Sequence, residues 1–474
     1  MRKTKIVCTI GPASRSPEML DRLVAAGMDV ARLNFSHGTH EEHTEVVRAI
    51  RAGEERWGRP LTIIQDLQGP KVRLGAFEGG QAMLMAGGSF TLTPVPVMGT
   101  AERATLSHPE FLGALRPADQ VWMDDGMIQL VVEAVEPDGT AHCRVTAGGF
   151  VSDHKGVALP RIPAPVASLT DKDREDLRLG IALGVDYVAV SFVRSAADIE
   201  VVRRFLRDEG ADLPLIAKLE RAEVMDGLQE ILARVDAVMV ARGDLGVAVP
   251  LEDVPVIQKH VVIQARQAKV PVIVATQMLE SMITHVRPTR AEVSDVATAI
   301  FDGADATMLS AETATGQYPV EAVRVMARVA ERAERAAPPT PRRDAARGGP
   351  DGFSEAIAEA AGQAAHMLNA RAIVAFTQSG FSARLISGER PEVPIIALTP
   401  FSEIQRKVGL YWGTSSRLVR KFQTTDEMIE EVEATLVGDG SVKTGDVLVI
   451  ISGAPLWVSG TTNLLKLHRV GDRR

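Results

Sequence analysis

The feature that most constrains this chain is a rhythm of short apolar runs rich in β-branched residues, each closed by polar residues or glycine. The runs fall at 6–10, 30–35, 61–66, 187–192, 213–219, 237–241, 270–276 and 306–310. Segments between them, at 17–26, 40–52, 171–183, 196–208, 254–268 and 291–301, carry apolar residues at helical spacing. Strands that are apolar on both faces and alternate with helices build a parallel sheet covered on both sides. Eight of them predict a (β/α)8 barrel, an α/β fold whose chemistry sits at the carboxyl ends of the strands.

The rhythm breaks once, over residues 67–168. There the turn signals Glu78-Gly79-Gly80, Asp124-Asp125-Gly126 and Pro137-Asp138-Gly139 separate alternating segments such as 127–133. A structureless loop of that length is uncommon in a compact protein, so the stretch predicts a small β domain inserted after the third barrel strand. After the eighth strand a helix runs to residue 335. Ala336-Ala337-Pro338-Pro339-Thr340-Pro341 and Gly348-Gly349-Pro350 then read as a linker. Beyond it, apolar runs at 372–376, 394–398 and 446–451 alternate with helices such as 354–368, a doubly wound pattern. The expected organisation is a barrel of residues 1–69 and 167–335, an insertion of 70–166, a linker of 336–351 and a C-terminal domain of 352–474.

A chain of 474 residues exceeds what one hydrophobic core supports, which agrees with that division. The net charge of −8 argues against a general affinity for nucleic acid while leaving room for a small cationic pocket. Cys8 and Cys143 are far apart and lack a CxxC neighbour, so both are expected as small core residues in a reducing compartment. The basic start Met1-Arg2-Lys3-Thr4-Lys5 leads into an apolar stretch that Gly11-Pro12 cuts short, so no signal peptide is expected. No run of eighteen uninterrupted apolar residues occurs, and the expectation is a soluble, cytoplasmic protein.

Polar residues collect where the apolar runs end. Arg32, Asn34 and Ser36 alternate at the end of the second run, which would turn them together toward the barrel mouth; a capped, polar strand end is the plain alternative. Lys218 and Glu220 alternate at the end of the fifth run. Charges there are costly unless paired, liganded or catalytic, so a structural ion pair competes with a catalytic one. The sixth run enters Arg242-Gly243-Asp244-Leu245-Gly246, where glycine lets backbone N–H groups approach a ligand and Asp244 can hold a hard cation. The pair Glu220 and Asp244 suits Mg²⁺, which takes few protein ligands and fills its shell with substrate and water. Thr276 adds a hydroxyl at the seventh strand end, while Met278 and Met282, at helical spacing, read as core packing. Such a rim fits a Mg²⁺-dependent barrel enzyme acting on a phosphorylated carboxylic acid, because phosphoryl transfer rests on positioning and charge neutralisation.

Several stretches, in order along essentially the whole chain, resemble the pyruvate kinases. They are Thr4-Lys5-Ile6-Val7-Cys8-Thr9-Ile10-Gly11-Pro12-Ala13-Ser14, Asn34-Phe35-Ser36-His37-Gly38, Ala217-Lys218-Leu219-Glu220, 240–246, 275–282 and 308–318. The resemblance implies a TIM barrel with an inserted small β-barrel lid domain and a C-terminal doubly wound α/β regulatory domain. It implies phosphoryl transfer from phosphoenolpyruvate to ADP, giving pyruvate and ATP, with Mg²⁺, or Mn²⁺ in its place, held by Glu220 and Asp244. Lys218 would neutralise the phosphoryl group and the enolate. Gly243, Asp244 and Thr276 would hold the substrate carboxylate, with Thr276, Ser310 and Glu312 near the protonation step. Arg32 and Arg73 would grip the phosphoryl group, and Asn34, His37, Arg73 and Lys155 would lie near the nucleotide. A homotetramer is implied as well.

One stretch departs from the potassium-requiring members, in which the position of Lys71 is typically glutamate and those of Leu67 and Leu74 are typically threonines. The family's monovalent-cation site uses positions matching Asn34, Ser36, Asp66 and Leu67. The expectation is that the Lys71 ammonium supplies the charge and K⁺ is not required, against the alternative of a solvated lid lysine. In the C-terminal domain, Thr377, Ser379, Gly380 and Ser382 precede a helix and offer a phosphate nest for a sugar-phosphate or nucleotide effector, with helix capping as the alternative. Gln378 stands where many members carry lysine. A lyase working through a metal-bound enolate would share the Lys218, Glu220 and Asp244 rim but would not need the insertion or Arg73, and a metabolite sensor would tolerate loss of Lys218.

Overall fold

The computed structural model describes residues 2–124, 126–159, 168–336, 352–454 and 462–472. Asp125 of one turn signal, and all of the expected linker except Ala336, lie outside them. The eight expected runs form β1 (Lys5–Ile10), β2 (Val30–Asn34), β3 (Thr62–Asp66), β4 (Tyr187–Val190), β5 (Leu215–Leu219), β6 (Ala237–Ala241), β7 (Val272–Ala275) and β8 (Ala306–Leu309). They pair in that order, all parallel, and β1 also pairs with β8, with Lys5 opposite Ala306, which closes the barrel.

Alternation along the strands divides two cores. Ile6, Cys8, Leu33, Ile63, Val188 and Val190 face the surrounding helices, whereas Val7, Ile64, Ala189, Ile216, Met239, Ile273 and Met308 fill the barrel interior. The helices Pro17–Ala26, Asp171–Leu183 and Ala196–Asp208 occupy the expected residues. The helix His40–Trp57 runs beyond the expected 40–52 and stops where Gly58 takes a φ of 61°. Thr39 with Glu42, Thr170 with Asp173 and Thr289 with Glu292 form capping boxes that fix where three barrel helices start.

The insertion builds its own core around Phe77, Phe90, Val121, Leu130 and Cys143. It holds a six-stranded mixed sheet in the order Val157–Ala158, Gln120–Met123, Ile128–Val135, Ala141–Ala147, Ser89–Thr93 and Arg103–Thr105. Gln81–Leu84 and Gly149–Ser152 form a second, two-stranded sheet. The C-terminal part is a five-stranded sheet in the order Thr414–Leu418, Ile395–Thr399, Ala372–Phe376, Val447–Ser452 and Leu464–Arg469, with only the last strand antiparallel. Both cysteines are free and buried. Among the described residues no helix is long and apolar enough to cross a membrane.

The C-terminal sheet packs under the barrel floor and shares the interior core through Leu410 and Tyr411. Three aspartates that immediately precede β4, β6 and β8 meet cations from that side. Asp186 pairs with Arg406 at 2.9 Å, Asp236 with Lys407 at 3.1 Å and Asp305 with Arg390 at 3.0 Å. The Tyr187 hydroxyl donates to the Lys407 carbonyl at 2.9 Å, and the Thr62 hydroxyl to that of Arg406 at 2.6 Å.

Candidate active site

At the opposite, carboxyl end of the strands a charged cluster is buried. Lys218, the fourth residue of β5, places Nζ 2.8 Å from Glu220 Oε1 and 3.3 Å from Asp66 Oδ1. The Arg32 guanidinium closes the other side of Asp66, Nε to Oδ2 at 2.6 Å, and donates to Thr9 Oγ1 at 2.9 Å. Asp66 and Glu220 are at most 1% exposed. Burial disfavours the Lys218 ammonium, but Asp66 and Glu220 outweigh it and hold its pKa above the ordinary lysine value. Burial likewise opposes the Asp66 carboxylate, and Lys218 with Arg32 prevails and holds its pKa down. For Glu220 burial wins against Lys218, with repulsion from Asp244 added, and its pKa rises.

The end of β4 completes the cluster. The Ser191 hydroxyl accepts from Lys218 Nζ at 2.8 Å and donates to the Leu67 carbonyl at 2.7 Å. The Phe192 N–H donates to Glu220 Oε2 at 2.7 Å, from a backbone with a φ of 55°. Glu220 Oε1 and Asp66 Oδ1 meet the ammonium at ion-pair distance and have no other partner among the described residues. Asp244 is one-third exposed, and Lys71 Nζ approaches its Oδ1 at 3.5 Å. Glu220, Asp244, Lys71, Phe192 and Trp122 line one cleft between the barrel rim and the insertion. Among the described residues no cluster of three or more potential ligands forms. A buried carboxylate, Glu220, and a part-exposed one, Asp244, on the same cleft fit a hard cation such as Mg²⁺, which takes its remaining oxygens from substrate and water.

Strands six to eight supply the other half of the rim. Gly243 opens the short helix Arg242–Ala248, and its N–H donates to Thr276 Oγ1 at 2.8 Å; Thr276 itself donates to the Ala275 carbonyl at 2.6 Å. Thr276 and Gln277 both take positive φ, 69° and 52°, a costly backbone for non-glycine residues. Arg242 holds that bend by donating to the Ala275 and Thr276 carbonyls at 3.2 and 2.6 Å while pairing with Asp295 at 2.7 Å. Glu312 accepts the N–H groups of Leu279 and Ser310, and burial raises its pKa; Ser310 Oγ is buried with no hydrogen-bond partner among the described residues. Met278 and Met282 are buried, as expected of packing residues.

Other expected residues have different surroundings. The alternation argument covers Arg32 and Asn34 but not Ser36, because β2 ends at Asn34 and Ser36 lies in the following turn, donating its N–H to Asn34 Oδ1. Burial, then the positive charges of Arg73, Lys71 and Arg32, lower the His37 pKa. Arg73 donates to the His154 carbonyl at 3.0 Å, and Lys155 pairs with Asp124 at 2.7 Å, both within the insertion. Lys71 pairs with Asp244 and not with Asp66, whose oxygens face Arg32 and Lys218. In the C-terminal part Thr377 Oγ1 accepts from Gly380 N at 2.9 Å, and Ser382 Oγ bonds Thr462 Oγ1 at 2.7 Å. The N-cap residue of the helix Phe381–Glu389 is Gly380, so neither Ser379 nor Ser382 holds that position. Sequence reasoning gave no role to Ser191, Phe192, Thr9 or Arg242. Their one signal was position, since each lies at or near the end of a barrel strand.

A closed parallel barrel whose rim buries an ammonium among carboxylates, under a second lobe that carries further cations, defines an enzyme built for a strongly anionic substrate. Comparison with known proteins sharpens the class. Residues 1–323 match the pyruvate kinase barrel domain and residues 355–468 the pyruvate kinase alpha/beta domain. The chain is 44% identical to a pyruvate kinase of Mycobacterium tuberculosis, over 99% of each chain. It is 43% identical to pyruvate kinase 2 of Synechocystis, over 99% of this chain and 79% of that one. A crystal structure of a pyruvate kinase from Cryptosporidium parvum superposes with a TM-score of 0.88 at 33% identity, covering 99% of this chain and 96% of that one. The chain belongs to the pyruvate kinase family and is a phosphotransferase.

Proposed function

We propose that the enzyme catalyses Mg²⁺-dependent transfer of the phosphoryl group of phosphoenolpyruvate to ADP, releasing pyruvate and ATP as in the last step of glycolysis. The observation that carries this reading is the buried ammonium of Lys218 held beside Glu220 and Asp66, with Asp244 across the same cleft. Glu220 and Asp244 would hold Mg²⁺, with Mn²⁺ as a substitute, and the bound cation supplies positive charge against the phosphate and carboxylate oxygens. Lys218 meets the negative charge that builds on the phosphoryl group and on the enolate as the P–O bond breaks. Arg32 is pre-set beside it by Asp66 and Thr9 and orients the phosphoryl group, with Arg73 reaching in from the insertion.

The substrate carboxylate competes with Thr276 Oγ1 for the Gly243 N–H and with the Ala275 carbonyl for the Thr276 hydroxyl proton. The Asp244 N–H joins them. Glu312, whose pKa burial raises, and Ser310 stand with Thr276 on the side from which the enolate takes its proton. His37 stays neutral beside three cations and, with Asn34 and Lys155, lines the nucleotide side. The insertion, residues 70–166, acts as a lid that excludes water from the transfer. Lys71 supplies a fixed charge at the rim, so K⁺ is not required; its contact is with Asp244 and not with Asp66 of the family's cation site, which speaks only against a fully solvated lysine. Thr377, Ser379, Gly380 and Ser382 are read as the site of a phosphorylated effector, and the enzyme as a cytoplasmic homotetramer, both from the family resemblance.

A coupled pyruvate assay tests the reading. It runs with phosphoenolpyruvate and ADP, with and without Mg²⁺, K⁺ and phosphorylated activators. Turnover that needs ADP and Mg²⁺ but not K⁺ supports it; pyruvate release that ignores ADP refutes it.

A further inference from the structure

From the geometry at the end of β4 we infer that Ser191 is a positioning residue for Lys218 and ties the ammonium to the root of the insertion. The inference rests on the function proposed above. Ser191 is 2% exposed, and its single hydroxyl proton goes to the Leu67 carbonyl, so toward Lys218 it can only accept. The result is a one-way chain from ammonium to hydroxyl to carbonyl. Leu67 is held from the same strand a second time, through its N–H to the Ala189 carbonyl at 3.0 Å. Two residues further on, Gly69 has a φ of 66° and packs so closely on β4 that an added Cβ would lie 2.9 Å from Ser191 Cβ and 3.1 Å from the Phe192 ring. The chain enters the insertion immediately after this contact.

The same two residues divide the labour on the cluster. Ser191 draws one ammonium donor away from the carboxylates, while the Phe192 N–H holds Glu220 Oε2, so that Glu220 Oε1 meets only the ammonium, 2.8 Å away. Without the hydroxyl, the ammonium turns its donors onto Glu220 and Asp66. It then binds Glu220 Oε1 more fully than in the wild type, competes harder with a cation for that oxygen and leaves its place opposite the phosphoryl group.

Ser191→Ala tests this with three measurements: the melting temperature, steady-state kinetics and Mn²⁺ affinity by electron paramagnetic resonance. The expected result is a near wild-type melt, an unchanged KM for ADP and a kcat lower by about ten- to a hundredfold, the range a hydrogen bond to a charged group carries. Mn²⁺ affinity falls severalfold, a change that a merely space-filling serine would not produce. An unchanged kcat, or a lowered kcat with unchanged Mn²⁺ affinity, overturns the inference. If Ser191→Ala melts far below wild type, Ser191→Cys takes its place in the same measurements. A wild-type protein that makes no ADP-dependent pyruvate would sink the proposed function instead, and the Mn²⁺ comparison would still decide the role of Ser191.

Discussion

Lys218→Met removes the ammonium and keeps most of the side chain's volume. The structure fixes what that leaves behind. Asp66 retains the Arg32 guanidinium at 2.6 Å, and Glu220 retains the Phe192 N–H at 2.7 Å but faces Asp244 with no cation between them. Removing one partner of a buried ion pair costs about 3–5 kcal/mol. Glu220 softens this cost by taking up a proton, since burial already raises its pKa against the pull of Lys218. The loss in turnover is larger in kind, because a fixed cation at a transferring phosphoryl group contributes about 10³–10⁵ in kcat, or about 4–7 kcal/mol. The assay couples pyruvate to NADH oxidation and adds thermal melts with and without Mn²⁺. We expect kcat to fall about a thousandfold or more with KM for ADP little changed. We also expect Mn²⁺ to raise the melting temperature of Lys218→Met more than that of wild type, because a cation beside Glu220 replaces the missing charge. Turnover within about tenfold of wild type would refute the assignment of Lys218 as the group that offsets the developing charge.

Lys71→Glu should convert a K⁺-independent enzyme into one that needs K⁺; near-zero wild-type turnover restored by K⁺ would remove the role given to Lys71. Lys5 is a further target. Burial, against Asp29, pushes its pKa from 10.5 down to about 8, while Nζ donates to the Thr414 carbonyl at 2.6 Å. Between pH 8 and 10.5 the unfolded chain therefore binds more protons at this site, so the site's contribution to stability rises with pH across that window and is absent below it. Lys5→Met should be more stable than wild type at pH 7, by at most about 3 kcal/mol, and should lose that advantage by pH 10. Urea melts giving the same difference at both pH values would contradict this.

The barrel was readable because its strands are buried on both faces and its helices on one, so burial writes two different periods into the chain. The strands Thr414–Leu418 and Leu464–Arg469 did not stand out. Both lie at sheet edges; Thr414–Leu418 is polar in all but its last residue, and Leu464–Arg469 mixes leucines with basic residues, so neither carries the apolar run that marks a strand. At the site, Lys218 and Glu220 were legible together because a two-residue spacing on one strand is a statement about one face. Ser36 shows where that reasoning stops, one turn past the strand's end, where the backbone no longer alternates. The partnership of Ser191 with Lys218 joins residues 27 positions apart on adjacent strands, and only the barrel's register brings them together. Lys71 was legible as an unusual residue but not as a partner of Asp244, since that contact crosses from the insertion to the barrel.

The aspartates ahead of β4, β6 and β8 have a consequence for how this protein can be taken apart. Each draws a neutralising cation from chain beyond residue 352, and the column of apolar side chains inside the barrel is stoppered from below by Leu410 and Tyr411. A fragment ending near residue 336 would keep every catalytic group and still be a poor enzyme. It would expose an open greasy bore to water, ringed by acids of which Asp305 has lost Arg390, while Asp186 and Asp236 keep Arg51 and Arg203 but have each lost a second cation. The part of the sequence furthest from the chemistry is thus the barrel's foundation, and grafting the catalytic half onto another scaffold would require rebuilding that footing first.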